Sequence, residues 1–160
     1  MSAKPGDLQT TTVYSAAVAT RAPELFTIHG YQMNRIVHLA LKVENLEQAT
    51  EFYQKVFGFR EVETRKTRDH VSRHMTDGQL DFTLMKYDEG TRSAESLAAG
   101  EKPCIHHFAI EVDDVAGCTA GLKKYGCEII SDPGVIPVKF RAPDGIVAEI
   151  VPAERYKKPR

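Results

Sequence analysis

The chain has 160 residues, of which 42% are hydrophobic and 27% charged, and its formal net charge is −1. That size and composition suit one compact domain or two small fused modules, and such a balance of charge gives no long-range field for nucleic acid or an anionic membrane. The cysteines Cys104, Cys118 and Cys127 contain no CxxC pair, which argues against a disulfide framework and fits a reducing, cytoplasmic setting; no apolar run approaches the roughly 20 residues that span a bilayer.

Residues 1–33 lack the apolar stretch after a basic start that a secretory signal needs, and they read as a leader or arm. A first module is expected over residues 34–87. It opens with Val37, Leu39, Leu41 and Val43 alternating with His38, Ala40 and Lys42, the period-2 pattern of a half-buried strand, with His38 on the face opposite the apolar one. Asn45 and Gln48 have the spacing of a helix start. Leu46, Ala49, Tyr53, Val56 and Phe57 then form a helical stripe that Gly58 ends. Three further strands are expected at 59–68, 70–76 and 79–87, with Asp77-Gly78 as the turn before the last.

Residues 88–103, rich in Glu, Gly, Ser and Ala, read as a linker, and a second module follows over 104–152 before a tail at 153–160. The second module repeats the first. Residues 105–112 alternate, placing His106, Phe108, Ile110 and Val112 on one face and His107, Ala109 and Glu111 on the other. Asp114 caps a helix with the stripe Val115, Cys118, Leu122 and Tyr125, and Gly126 ends it. Segments 127–131, 135–141 and 146–151 supply three strands, separated by turns around Asp132-Pro133-Gly134 and Pro143-Asp144-Gly145. The order β-α-β-β-β therefore appears twice, in an α+β fold. His38 returns as His107 and Gly58 as Gly126, so the two copies hold register to within one residue.

A repeat that carries its histidine at an inward position places His38 and His107 on a common concave face. Glu149 lies opposite Ala148 and Ile150 on its strand, and a carboxylate buried there needs a partner. Two imidazoles and one carboxylate suit a divalent transition metal with coordination positions left open. Thr83 falls at the place in the first module equivalent to Glu149. Asp81 shares its face, where a slip of two residues would make it a fourth ligand. His70 and His74 share a strand face, so one of them can reach the cavity as a general acid/base, and Arg73, Lys42 and Arg141 are candidates for holding an acidic substrate group. His106 reads as a packing residue.

In combination, the segment 37–43 with 49–58, the segment 106–114, and Pro143-Asp144-Gly145 leading to Glu149 resemble the vicinal oxygen chelate superfamily, which embraces glyoxalases, epimerases, bleomycin-resistance proteins and extradiol dioxygenases. The resemblance covers about residues 34–152. It implies two βαβββ modules forming a metal-lined cup, with His38, His107 and Glu149 as ligands of Fe2+, Mn2+, Zn2+ or Ni2+, iron or manganese favoured. It implies a metal-dependent enzyme, a lyase or isomerase or a dioxygenase, acting on a small molecule with adjacent oxygens. On that reading His74 and His70 are catalytic, Thr83, Asp81 and Arg73 bind substrate, and the protein is a homodimer with no nucleic-acid or membrane partner. The alternative is a non-catalytic binding or drug-resistance protein of the same fold. Two departures bear on the reaction. Thr83 stands where the glyoxalase and epimerase branches carry Glu or Gln, and Lys139 stands at the Tyr position of the extradiol branch.

Overall fold

A computed structural model describes residues 34–156. The first half runs β1 (Arg35–Lys42), α1 (Leu46–Phe57), β2 (Arg60–Lys66), β3 (His70–Thr76) and β4 (Asp81–Tyr87). A short helix, α2 (Ala94–Ala99), follows where only a linker is expected; Ser93 caps it by accepting from the Ser96 backbone N–H. The second half runs β5 (Cys104–Val112), α3 (Val115–Tyr125), β6 (Glu128–Ile129), β7 (Val138–Arg141) and β8 (Val147–Pro152). The leader at 1–33 lies outside the described residues, as do the last four positions of the expected tail.

All eight strands form one sheet in the order β2-β3-β4-β1-β5-β8-β7-β6. This order reads the same from either edge once the second half is mapped onto the first. The halves join through antiparallel β1 and β5, where Leu39 faces Phe108, flanked by His38 against Ala109 and Ala40 against His107. A pseudo-twofold axis thus passes through the Leu39–Phe108 pair. The register within each half obeys the same relation: Ala40 lies opposite Thr83, and Ala109 lies opposite Glu149.

Both long helices begin and end by the same local chemistry. The Asn45 side chain accepts from the Gln48 N–H, and Asp114 accepts from the Gly117 N–H; Gly58 and Gly126 close their helices in left-handed backbone at φ 73° and 93°. From α1, Leu46, Ala49 and Tyr53 pack with Met75, Phe82 and Leu84. From α3, Val115, Cys118 and Leu122 pack with Val112, Phe140 and Ile150. The outer parts of the expected stripes are not buried: Val56 and Phe57 are exposed, as is Tyr125. With the apolar cores on the helix side, the inward positions of β1, β3, β4, β5, β7 and β8 are left to line a polar cavity. Among the described residues no helix is long and apolar enough to cross a membrane.

Candidate metal centre

The twofold brings His38 and His107 face to face, their Nε2 atoms 3.3 Å apart, with both side chains buried. Glu149, fully buried, places its Oε2 3.5 Å from His107 Nε2. One ligand atom from each of the three lies within 4.8 Å of the others. Two features of this cluster fit a cation. Glu149 Oε2 has no hydrogen-bond partner although it is buried, and an orphaned buried carboxylate oxygen is costly. Asp81 accepts from His38 Nδ1 at 2.5 Å, so in the neutral ring His38 Nε2 carries a lone pair aimed at His107. A divalent ion bound by both imidazoles and Glu149 meets both demands at once.

What stands behind each histidine differs. Asp81 is buried beneath His38, away from the open cavity, and also accepts from His74 Nδ1 at 3.0 Å and Thr83 Oγ1 at 2.9 Å. Burial pushes its carboxyl up, but the hydrogen bonds from His38 and His74 outweigh that and hold it well below the usual carboxylate range. The Nδ1 position of His38 is taken up by this contact, so Asp81 orients the ring from behind. His107 Nδ1 lies 2.6 Å from His106 Nδ1, and His106 Nε2 lies 2.9 Å from the Tyr87 hydroxyl. Burial first, and then the nearby Lys139 charge, lower the His106 pKa to about 4. Burial likewise drives His107 well below its ordinary value, and both rings are neutral at pH 7. His106 is therefore a buried hydrogen-bonding partner of His107 as well as a packing residue.

His74 and Thr83 line the cavity beside the cluster, and His70 lines it farther out, held by Asp69 Oδ1 at 2.8 Å. Arg73 does not join them. Lying between His70, Ser72 and His74 on a pleated strand, it must face the other way, and it binds Glu47 on α1 at 2.8 Å and Thr50 Oγ1 at 2.9 Å. The expectation that Arg73 meets substrate is corrected accordingly. Asp81, expected on the open side, is corrected to a place under the histidines. Lys42 reaches the backbone oxygens of Gly100 and Glu101, and Arg141 binds Glu128 Oε2 at 3.0 Å.

One cavity residue escapes the sequence reading, and a second, Lys139, enters it only through its place in the resemblance and not as a cavity cation. Tyr156, four residues beyond the last strand, stacks on His38 with ring centroids 4.3 Å apart and donates to Glu149 Oε1 at 2.7 Å. Lys139 lies on β7 directly opposite Glu149. Period 2 across residues 138–141 would have put Lys139 inward, whereas no periodic signal marks Tyr156.

Two mirrored βαβββ units around a shared polar cavity, with a histidine from each central strand and a glutamate from the last, define a paired-module fold with a candidate metal centre. Residues 35–150 match the Glyoxalase/Bleomycin resistance protein/Dioxygenase superfamily, and the chain belongs to it. The mitochondrial methylmalonyl-CoA epimerase of Mus musculus is 28% identical over 134 residues, covering 75% of this chain and 74% of its own. Among solved structures, a hypothetical protein of Bacillus halodurans C-125 superposes with TM-score 0.64 at 18% identity, covering 81% of this chain and 98% of that one. A variant of Streptomyces coelicolor methylmalonyl-CoA epimerase in complex with 2-nitronate-propionyl-CoA gives TM-score 0.62 at 19% identity, with coverage of 79% and 99%. The methylmalonyl-CoA epimerase of Mycobacterium tuberculosis gives 0.58 at 19% identity, with coverage of 73% and 86%.

Proposed function

We propose that the chain is a metal-dependent enzyme that takes a small molecule through two adjacent oxygens and moves a proton on it, in an isomerase or lyase reaction. The observation that carries this reading is the buried Glu149 Oε2, without a hydrogen bond, beside two facing imidazole nitrogens. When bound by His38, His107 and Glu149, a divalent ion such as Mn2+ or Fe2+ supplies Lewis-acid polarisation of a substrate oxygen.

The chain's own residues supply the proton transfer. His74 Nδ1 is held by Asp81 and lies 2.9 Å from Thr83 Oγ1, which fixes the ring and leaves its other nitrogen as the base. A carboxylate that accepts from the imidazole N–H stabilises the imidazolium formed when His74 takes a proton, as the Asp of a hydrolase triad does. Thr83, where related branches carry Glu or Gln, cannot accept that proton at neutral pH, so the first module's base shifts to His74. His70, which lines the same cavity, would exchange protons with solvent.

Methylmalonyl-CoA, the ligand of a solved relative, is the first substrate to test. Manganese-loaded protein is expected to wash solvent deuterium into its C2 position, and His74→Gln to slow that exchange at least 100-fold while manganese content stays at one per chain. Glu149→Gln is expected to abolish the rise in Tm that manganese gives the unaltered chain. An unchanged Tm rise in Glu149→Gln would overturn the ligand assignment; exchange that survives in His74→Gln would overturn the base.

A further inference from the structure

Lys139 is the residue that the mirrored sheet places across from His74. His74 stands opposite Thr83 on β4 as Lys139 stands opposite Glu149 on β8. The two therefore occupy equivalent inward positions on either side of the axis, a base on one side and a cation on the other. The Lys139 side chain is only 13% exposed, and its Nζ lies 3.0 Å from Glu95 Oε1 and 3.7 Å from Glu149 Oε2. An ammonium has three donors. Glu95 takes one, and Glu149 lies beyond hydrogen-bond reach, which leaves donor capacity at the cavity that Lys139 lines. Arg65 and Arg155 line the same cavity farther out, with Glu63 beside Arg65. A ligand bound next to Glu149 comes within reach of the ammonium.

We propose that Lys139 is a specificity-determining residue that binds an anionic oxygen of the substrate. It narrows the substrate class from any molecule with adjacent oxygens to those bearing a carboxylate. An ammonium with spare donors in a mostly enclosed site favours an anionic ligand over its neutral isostere, because charge-assisted hydrogen bonds to an anionic oxygen are stronger than those to a neutral one. Glu95, carried in by α2, holds the lysine at 3.0 Å, which gives the short helix a task in the site. The inference rests on the metal reading above and adds the charge of the substrate to it.

Calorimetric titration of manganese-loaded protein with oxalate tests it, alongside manganese content by elemental analysis. Lys139→Met is expected to weaken oxalate at least tenfold with manganese content unchanged, and Lys139→Arg to stay within about threefold of the unaltered chain. Lactate and its neutral isostere lactamide give the second comparison: the preference for lactate, part of which the divalent ion supplies, is expected to fall at least tenfold in Lys139→Met. Oxalate binding unaltered by Lys139→Met, or a tenfold loss shared by Lys139→Arg, overturns the assignment, as does loss of manganese in Lys139→Met, which would make the lysine a support for Glu149. Failure of the unaltered chain to load manganese overturns the metal reading itself, and the lysine assignment with it.

Discussion

Two imidazoles face each other across the cavity, but one is backed by a charge and the other by a neutral chain. Asp81 behind His38 raises the basicity of that ring, and such partners commonly govern metal affinity 10- to 100-fold. Asp81→Asn is therefore expected to weaken manganese binding by roughly that factor, measured by competition with a chelator. Behind His107 the neutral pair His106 and Tyr87 fixes the tautomer without adding charge. That arrangement makes stability depend on pH in the metal-stripped protein. The folded His106 binds its proton only near pH 4, against an ordinary value of 6.5, so between those values the unfolded chain holds more protons. Stability is then full above about pH 6.5 and falls as pH drops toward 4, by up to about 1.4 kcal/mol per pH unit for each such group, and His107 shifts in the same direction. Urea unfolding across that range checks it; a flat profile would show that the histidines are not buried neutral.

At the scale of elements, the helix ends carry the repeat most plainly. Gly58 stands at φ 73° with open space around its missing Cβ, so Gly58→Ala meets no clash, only the strain of a left-handed alanine. It is expected to cost about 1 kcal/mol in thermal unfolding with metal binding intact. Caps, stripes and alternation are local, which is why β1 with α1 and β5 with α3 could be read from the chain, His38 and His107 included. The facing of Arg73 was equally local and follows from the parity of His70, Ser72 and His74. The identity of Glu47 and Thr50 as its partners needed the packing of α1 against β3. α2 gave little signal because Ala, Ser and Glu suit a short helix and a linker alike, and its role depends on a contact between Glu95 and Lys139, 44 positions apart. Asp81 looked like an open-side residue because strand parity alone assigns a face but not a depth.

The whole molecule is a duplication whose symmetry survives in the backbone and has been lost in the chemistry. The axis through Leu39 and Phe108 maps His38 onto His107, but it also maps Thr83 onto Glu149 and His74 onto Lys139. Symmetry thus supplies the cup, and its breaking supplies direction: on the proposed reading a substrate seated between the halves would meet the base His74 on one side and the Lys139 ammonium on the other. Tyr156 closes this arrangement from beyond the final strand, stacked on His38 and bonded to Glu149. The chain has no tryptophan and six tyrosines, so phenolic emission dominates its ultraviolet fluorescence. A phenol donating to a carboxylate is quenched, and among the described residues Tyr156 is the tyrosine in direct contact with two of the proposed ligands. Filling the centre with manganese or zinc is therefore expected to change the emission of the intact protein, and Tyr156→Phe to erase that change, turning a second-row contact into a built-in optical gauge of occupancy.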